Sequence, residues 1–216
     1  ETRQYRWFVA CVTAYIFALL SKEHAVAMPL VLMPIFVFVC RPASRTVVAA
    51  LGAGLGVTAL AVGLLWQQYS YLIGIPFDTA SAALAAQLEQ IQPGIGPLLY
   101  PLSIINQAWL FFQYGVLWLI PNVGWMQLDI RPPFPTQLLA WPQALGPLSY
   151  LFLLGFGIWL VSKRRGLAAL AGVGLLMPGL LFLTEFATVW VQDPFVLYRS
   201  YLWSIGFAIL TMVALT

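Results

Sequence analysis

The chain has 216 residues, of which 62% are hydrophobic and 8% charged, with a formal net charge of +3. Soluble domains carry about 25% charged residues, so a soluble globular fold is excluded. Most of the Lys and Arg residues flank long apolar runs, which is the pattern of a helical membrane protein and not of a nucleic-acid-binding surface. The runs are also too continuous for outer-membrane strands, whose residues alternate. The expected fold is therefore all-α, a polytopic transmembrane bundle. Residues 1–216 form one membrane domain, with 66–144 as an extracytoplasmic or re-entrant insertion.

Arg3 and Arg6 give a basic flank. The apolar run that follows, residues 7–40, is interrupted by Ser21-Lys22-Glu23-His24. A charge at the centre of a bilayer costs roughly 3 kcal/mol, so this tetrapeptide belongs at a membrane surface or in a wet cavity. It reads as a solvated hairpin turn, as a polar site at a cavity mouth, or as both. The spans on either side are about 7–20 and 25–40. Pro29 falls in the first turn of the second, where a missing N–H is tolerated, and Pro34 lies deeper, where a kink is expected. Arg41 and Arg45 form a second basic loop. Span three covers about 46–66, and its Gly52, Gly54 and Gly56 suit close helix packing. Cys11 and Cys40 are expected near cytoplasmic span ends, which argues against a disulfide.

Residues 67–101 are more polar, with Gln67, Gln68, Asp78, Gln87, Glu89, Gln90 and Gln92. Residues 81–91 suit a short amphipathic helix at the interface, broken by Pro93, Gly94, Gly96, Pro97 and Pro101. The apolar segment 102–120 contains Asn106, Gln107 and Gln113 and stops at Pro121. A loop rich in proline and tryptophan occupies 122–144. Span five is about 145–161 and is followed by Lys163-Arg164-Arg165. Span six is about 167–183, then a polar loop holds Glu185, Gln192 and Asp193. The last span is about 195–215, with Arg199 in its first turns.

The positive-inside rule puts the N-terminal flank, Arg41/Arg45 and Lys163–Arg165 in the cytoplasm. The parity then closes at six crossings, with 102–120 re-entrant or lying along the outer interface. A full crossing by 102–120, with Lys163–Arg165 outside, is the alternative. In the six-crossing arrangement the polar residues Lys22, Glu23, His24, Gln107, Gln113, Tyr114, Glu185, Asp193, Tyr198, Arg199 and Tyr201 gather on the outer face. One histidine and scattered carboxylates give no metal-ligand spacing. No glycine-rich phosphate loop is present, and serine or thiol nucleophiles lack partners. Lys22, His24 and Arg199 at a lipid–water boundary suit an amphiphile with a phosphate or pyrophosphate headgroup. A plain anchoring role or an ion pair with Asp193 is the simpler use of Arg199. A solvated loop charge is the simpler use of Glu185.

Ser21-Lys22-Glu23-His24 followed by Pro29, Gln107 with Tyr114 and Pro121, and Tyr198-Arg199-Ser200-Tyr201-Leu202 with Gly206 form a recognisable series. It resembles the transmembrane O-mannosyltransferases that carry tetratricopeptide repeats, within the multi-pass, lipid-phosphosugar-dependent (GT-C) glycosyltransferases. The chain departs from that pattern where Leu197-Tyr198 stand in place of an acid before the Arg, although Asp193 is nearby. The resemblance implies the C-terminal half of the membrane domain of a longer chain, in the bacterial inner membrane with its site facing outward. The catalytic acid of that family lies in an upstream loop, so the catalytic residues are expected outside this segment. Lys22, His24 and Arg199 would bind the donor phosphate, supported by Glu23, Asp193, Tyr198 and Tyr201. Gln107 and Tyr114 would touch the sugar or acceptor. The partners implied are a polyprenyl-phosphate-linked sugar, an acceptor protein or glycan, and membrane lipids, with no cofactor, metal or nucleic acid. A transporter or flippase of such a lipid and a non-catalytic membrane anchor are the competing functions.

Overall fold

The computed structural model describes residues 2–69, 79–126, 130–188, 195 and 197–216. Inside a bilayer the backbone has no water to bond, so apolar runs of this length satisfy themselves as helices. Among the described residues the α-helices are α1 (Thr2–Ser21), α2 (Met28–Cys40), α3 (Ser44–Tyr69), α4 (Thr79–Ile91), α5 (Leu99–Leu119), α6 (Leu145–Lys163), α7 (Gly166–Thr188) and α8 (Ser204–Leu215). The described residues contain no strand, and Ile130 and Phe195 pair in an isolated antiparallel bridge. Among the described residues, four stretches are long and apolar enough to cross a membrane: Ser44–Gln67, Leu145–Lys163, Gly166–Phe186 and Tyr198–Leu215. Tyr5–Ser21 and His24–Cys40 are shorter apolar helices. The chain is built as an integral membrane protein.

Helix α7 is central and packs on α2, α6 and α8. Arg41 closes α2 in a left-handed conformation (φ 45°) and donates from Nη1 to the carbonyl of Val161 at 2.6 Å. That bond ties the end of α2 to the end of α6, beside the Arg164-Arg165 link into α7. Arg41, Arg45 and Lys163–Arg165 thus share one end of the bundle, the basic end. The 3-10 turn Glu23–Ala27, the last turns of α7 and the 3-10 segment Leu197–Trp203 share the other.

Glycine decides how closely the central helices approach. A Cβ on Gly172 would stand 2.8 Å from the Gly157 carbonyl, and one on Gly206 would stand 2.6 Å from the Gly174 carbonyl. Backbones at this range need small residues on both sides. On α3, by contrast, a Cβ at Gly52 or Gly56 would meet nothing, and only Gly54 touches a neighbour, Pro29. The close packing expected on α3 is found instead among α6, α7 and α8.

Helix α5 packs against elements at the end opposite the basic end. Tyr100 donates to the Phe186 carbonyl at 2.9 Å, and Trp118 donates to the Ser200 carbonyl at 2.8 Å. These two contacts are about 27 Å apart along the helix axis at 1.5 Å per residue. Between them, Gly146 in the first turn of α6 abuts the backbone of Ala108 and Trp109. Phe111 packs edge-on against Tyr150 and tilted against Phe182. Every one of these partners belongs to the start of α6, the end of α7 or the 3-10 segment before α8. Trp203 donates to the Phe111 carbonyl at 2.9 Å, and Tyr114 stacks on Phe195 with centroids 4.4 Å apart.

Several boundaries differ from the sequence reading. Helix α7 runs to Thr188 and not to 183, so Glu185 is helical. The last span is α-helical only from Ser204, because Leu197–Trp203 winds as 3-10 helix. Residues 25–27 also belong to a 3-10 turn and not to α2. Cys11 sits in the middle of α1 and not near its end, and Cys11 and Cys40 are free thiols.

Candidate functional site

Three segments far apart in sequence supply one polar cluster. The first is the 3-10 turn after α1. Lys22 adopts an extended conformation (φ −157°, ψ 135°), and the turn then carries His24, Ala25, Val26 and Ala27 into the interior. Pro29 in the first turn of α2 suits this abrupt restart, since its ring needs no N–H partner there. The second segment is the end of α7, which presents Thr184 and Glu185 on adjoining faces. The third is the 3-10 segment carrying Arg199 and Tyr201.

Glu185 bridges the other two segments. Its Oε1 stands 3.3 Å from His24 Nε2, and its Oε2 stands 3.5 Å from Arg199 Nε. The His24, Glu185 and Arg199 side chains are 8%, 8% and 13% exposed, so the pairing is sheltered from water. The other ring nitrogen of His24, Nδ1, hydrogen-bonds the Thr184 hydroxyl. Thr184 in turn donates to the Leu181 carbonyl at 3.0 Å. The Tyr201 ring is tilted toward the imidazole, with centroids 6.3 Å apart. A buried ion is tolerated only when paired and hydrogen-bonded, and the Glu185 carboxylate meets that condition from both sides.

His24, Glu185, Arg199 and Tyr201 therefore come together. Lys22 is exposed beside them at the start of the turn. The side chain of Glu23 and the whole of Asp193 lie outside the described residues, so their expected supporting roles have no geometry here. Tyr198 is exposed. Gln107 and Tyr114 are fully buried in α5, Tyr114 among the core aromatics, and neither forms part of an open contact surface. Among the described residues, both amide atoms of Gln107 and Oδ1 of Asn106 have no hydrogen-bond partner. Glu185, an outer-face candidate that the sequence places in a polar loop with a solvated charge as its simpler use, lies instead in α7 and is buried. Thr184 went unnoticed altogether, since a threonine closing an apolar run carries no sequence signal of its own.

A second feature is apolar. Helices α5 and α8 line an open groove of about 460 Å³ between Phe112, Val116 and Leu119 on one side and Trp203, Phe207 and Leu210 on the other. It does not include the polar cluster: Trp203 faces α5, whereas Arg199 faces α7. Among the described residues no three His, Cys, Asp or Glu side chains gather as a metal site. Compared with protein-family models, curated proteins and solved structures, the chain matches none of them.

Proposed function

We propose that the chain is the membrane part of a glycosyltransferase that moves a sugar from a polyprenyl-phosphate donor to a protein or glycan hydroxyl outside the cytoplasm. The observation that carries this reading is the buried His24–Glu185–Arg199 cluster at the end of the bundle opposite the basic residues. With the basic end assigned to the cytoplasm by the positive-inside rule, the cluster faces outward. With α5 taken as re-entrant or interfacial at that end, the crossings number six: α1, α2, α3, α6, α7 and the Tyr198–Leu215 stretch.

The acceptor oxygen attacks the anomeric carbon, the bond from that carbon to the phosphate oxygen breaks, and polyprenyl phosphate leaves. The acceptor proton passes to a base outside this segment. Negative charge grows on the leaving phosphate, and donors already aimed at it stabilise the transition state most. Glu185 engages the Arg199 guanidinium through Nε and fixes its plane, while the fork supplies several N–H donors suited to phosphate oxygens. Lys22 adds an exposed cation beside it. His24 has both nitrogens engaged by Thr184 and Glu185, so it acts through Glu185 and through charge. The groove between α5 and α8 offers apolar surface to a prenyl chain.

The test is release of polyprenyl phosphate and transfer of labelled sugar by the intact protein in liposomes. Transfer that is lost in Arg199→Ala is expected. Absence of transfer from every polyprenyl-phosphate sugar offered overturns the reading. A transporter of the same lipid is the second reading, favoured by the open apolar groove between α5 and α8. It predicts movement of intact lipid-linked sugar between leaflets without release of polyprenyl phosphate.

A further inference from the structure

We infer that the basic end of the bundle holds one anionic phospholipid, with its phosphate on Lys163-Arg164-Arg165 and one acyl chain in a shallow groove along α6. The groove follows from the spacing of α6. A Cβ at Gly155 would meet nothing within 4 Å, so this glycine forms an open floor. Residues three and four positions away flank it on the helix surface. Phe152 and Trp159 stand on one side, Leu151 and Ile158 on the other, and each is at least 42% exposed. Phe156 braces the aromatic wall, stacking on Phe152 with centroids 5.8 Å apart and on Trp159 at 5.7 Å. Rings that stack on one another have little freedom left to lose when a chain lies against them.

The aromatic wall ends in a cation. At the C-cap of α6 the backbone of Arg164 turns extended (φ −106°, ψ 170°), and its guanidinium lies over Trp159, 4.7 Å from the ring centroid. A guanidinium held on a ring face still presents its N–H edges to phosphate oxygens. Lys163 and Arg165 are exposed on either side of it. From Lys163 back to Phe152 is about 17 Å at 1.5 Å per residue, close to the ~15 Å of hydrocarbon in one leaflet. The groove thus has the length of one acyl chain below its headgroup. Charge decides the occupant. Residues 25–66 and 145–184, which build the basic end, contain Arg41, Arg45, Lys163, Arg164 and Arg165 and not one Asp or Glu. An anionic headgroup complements that end, whereas a zwitterionic one brings its own cation. The site lies at the end away from the His24–Glu185–Arg199 cluster and does not depend on the proposed function.

The test is native mass spectrometry of the intact protein in detergent, titrated with phosphatidylglycerol or with phosphatidylcholine of the same chains. The wild type is expected to bind one phosphatidylglycerol in preference to phosphatidylcholine. Arg164→Gln should weaken that binding by about fivefold, the contribution of one basic residue beside anionic lipid. Gly155→Leu leaves the charge unchanged and fills the floor, and should weaken binding by about tenfold or more through the lost burial of chain methylenes. Gly52→Leu on α3, where a Cβ would also meet nothing, is the control and should bind as the wild type does. Glycerol phosphate at the same concentration should not displace the lipid. Equal binding of the two lipids overturns the inference, since charge then selects nothing. So does unchanged binding in Gly155→Leu, which would mean a diffuse attraction to the basic end. Displacement by glycerol phosphate would reduce the site to the phosphate and overturn the acyl-chain groove. A dimer that Gly155→Leu dissociates would assign the groove to a second copy and overturn the inference as well.

Discussion

Glu185 Oε1 stands 3.3 Å from His24 Nε2, so the last turns of α7 close onto the turn that follows α1. The contact is sheltered, and the same carboxylate also meets Arg199. Glu185→Gln removes the carboxylate that the two basic groups share. Breaking a buried pair from one side costs about 3–5 kcal/mol. The thermal midpoint in detergent should fall for Glu185→Gln and for His24→Asn. In the double variant the two losses should add to clearly less than their sum, because both remove one network. Strictly additive losses would show that the two side chains do not interact.

A second prediction concerns the crossing of α5 and α6. A Cβ on Gly146 would lie 2.4 Å from the Trp109 nitrogen, with the Ala108 carbonyl carbon at 2.7 Å. Both obstacles are backbone, so no rotamer change relieves them. Gly146→Ala should destabilise by about 1–3 kcal/mol or more. Gly155→Ala on the same helix meets nothing within 4 Å and should stay within about 0.5 kcal/mol. Equal midpoints for the two variants would remove the close α5–α6 crossing.

How much of this was visible in the sequence varies with the feature. The helices were legible because a bilayer admits little else for an apolar run, and Pro29, Pro121 and the basic triplet at 163–165 mark real boundaries. The burial of Glu185 within α7 was not legible. A carboxylate after an apolar run looks like an exit into water, and only His24 and Arg199, both distant in sequence, let it remain in the helix. The glycines of α3 and those of α6, α7 and α8 have the same composition and differ only in what faces them. Gln107 reads as a polar contact residue, yet it is fully buried. The 3-10 winding of Leu197–Trp203 likewise has no compositional mark; it follows from Ser200 and Trp203 turning to α5 while Arg199 turns to α7.

The third prediction fixes sidedness. In a background lacking Cys11 and Cys40, single cysteines replacing Arg165 and Tyr201 should be labelled by impermeant thiol reagents from opposite sides of the membrane, the second from outside. Cysteines replacing Leu98 and Asn122, which flank α5, should be labelled from the same side as Tyr201. Labelling of the α5 flanks from opposite sides would mean that α5 crosses the membrane, and the six-crossing arrangement would fail.

The central claim is that Arg199 grips the leaving phosphate of a lipid-linked sugar, and a single substitution tests it most directly. Arg199→Lys keeps the charge and most of the reach but loses the planar fork that matches phosphate oxygens and the Nε that engages Glu185. The measurement is sugar transfer from a synthetic polyprenyl-phosphate donor by the intact protein and this variant, at matched protein levels in liposomes. The account predicts a fall in turnover of about tenfold or more, each decade being about 1.4 kcal/mol, with a larger fall for Arg199→Ala. Equal rates for Arg199 and Lys would contradict it, as would a wild-type protein that transfers no sugar.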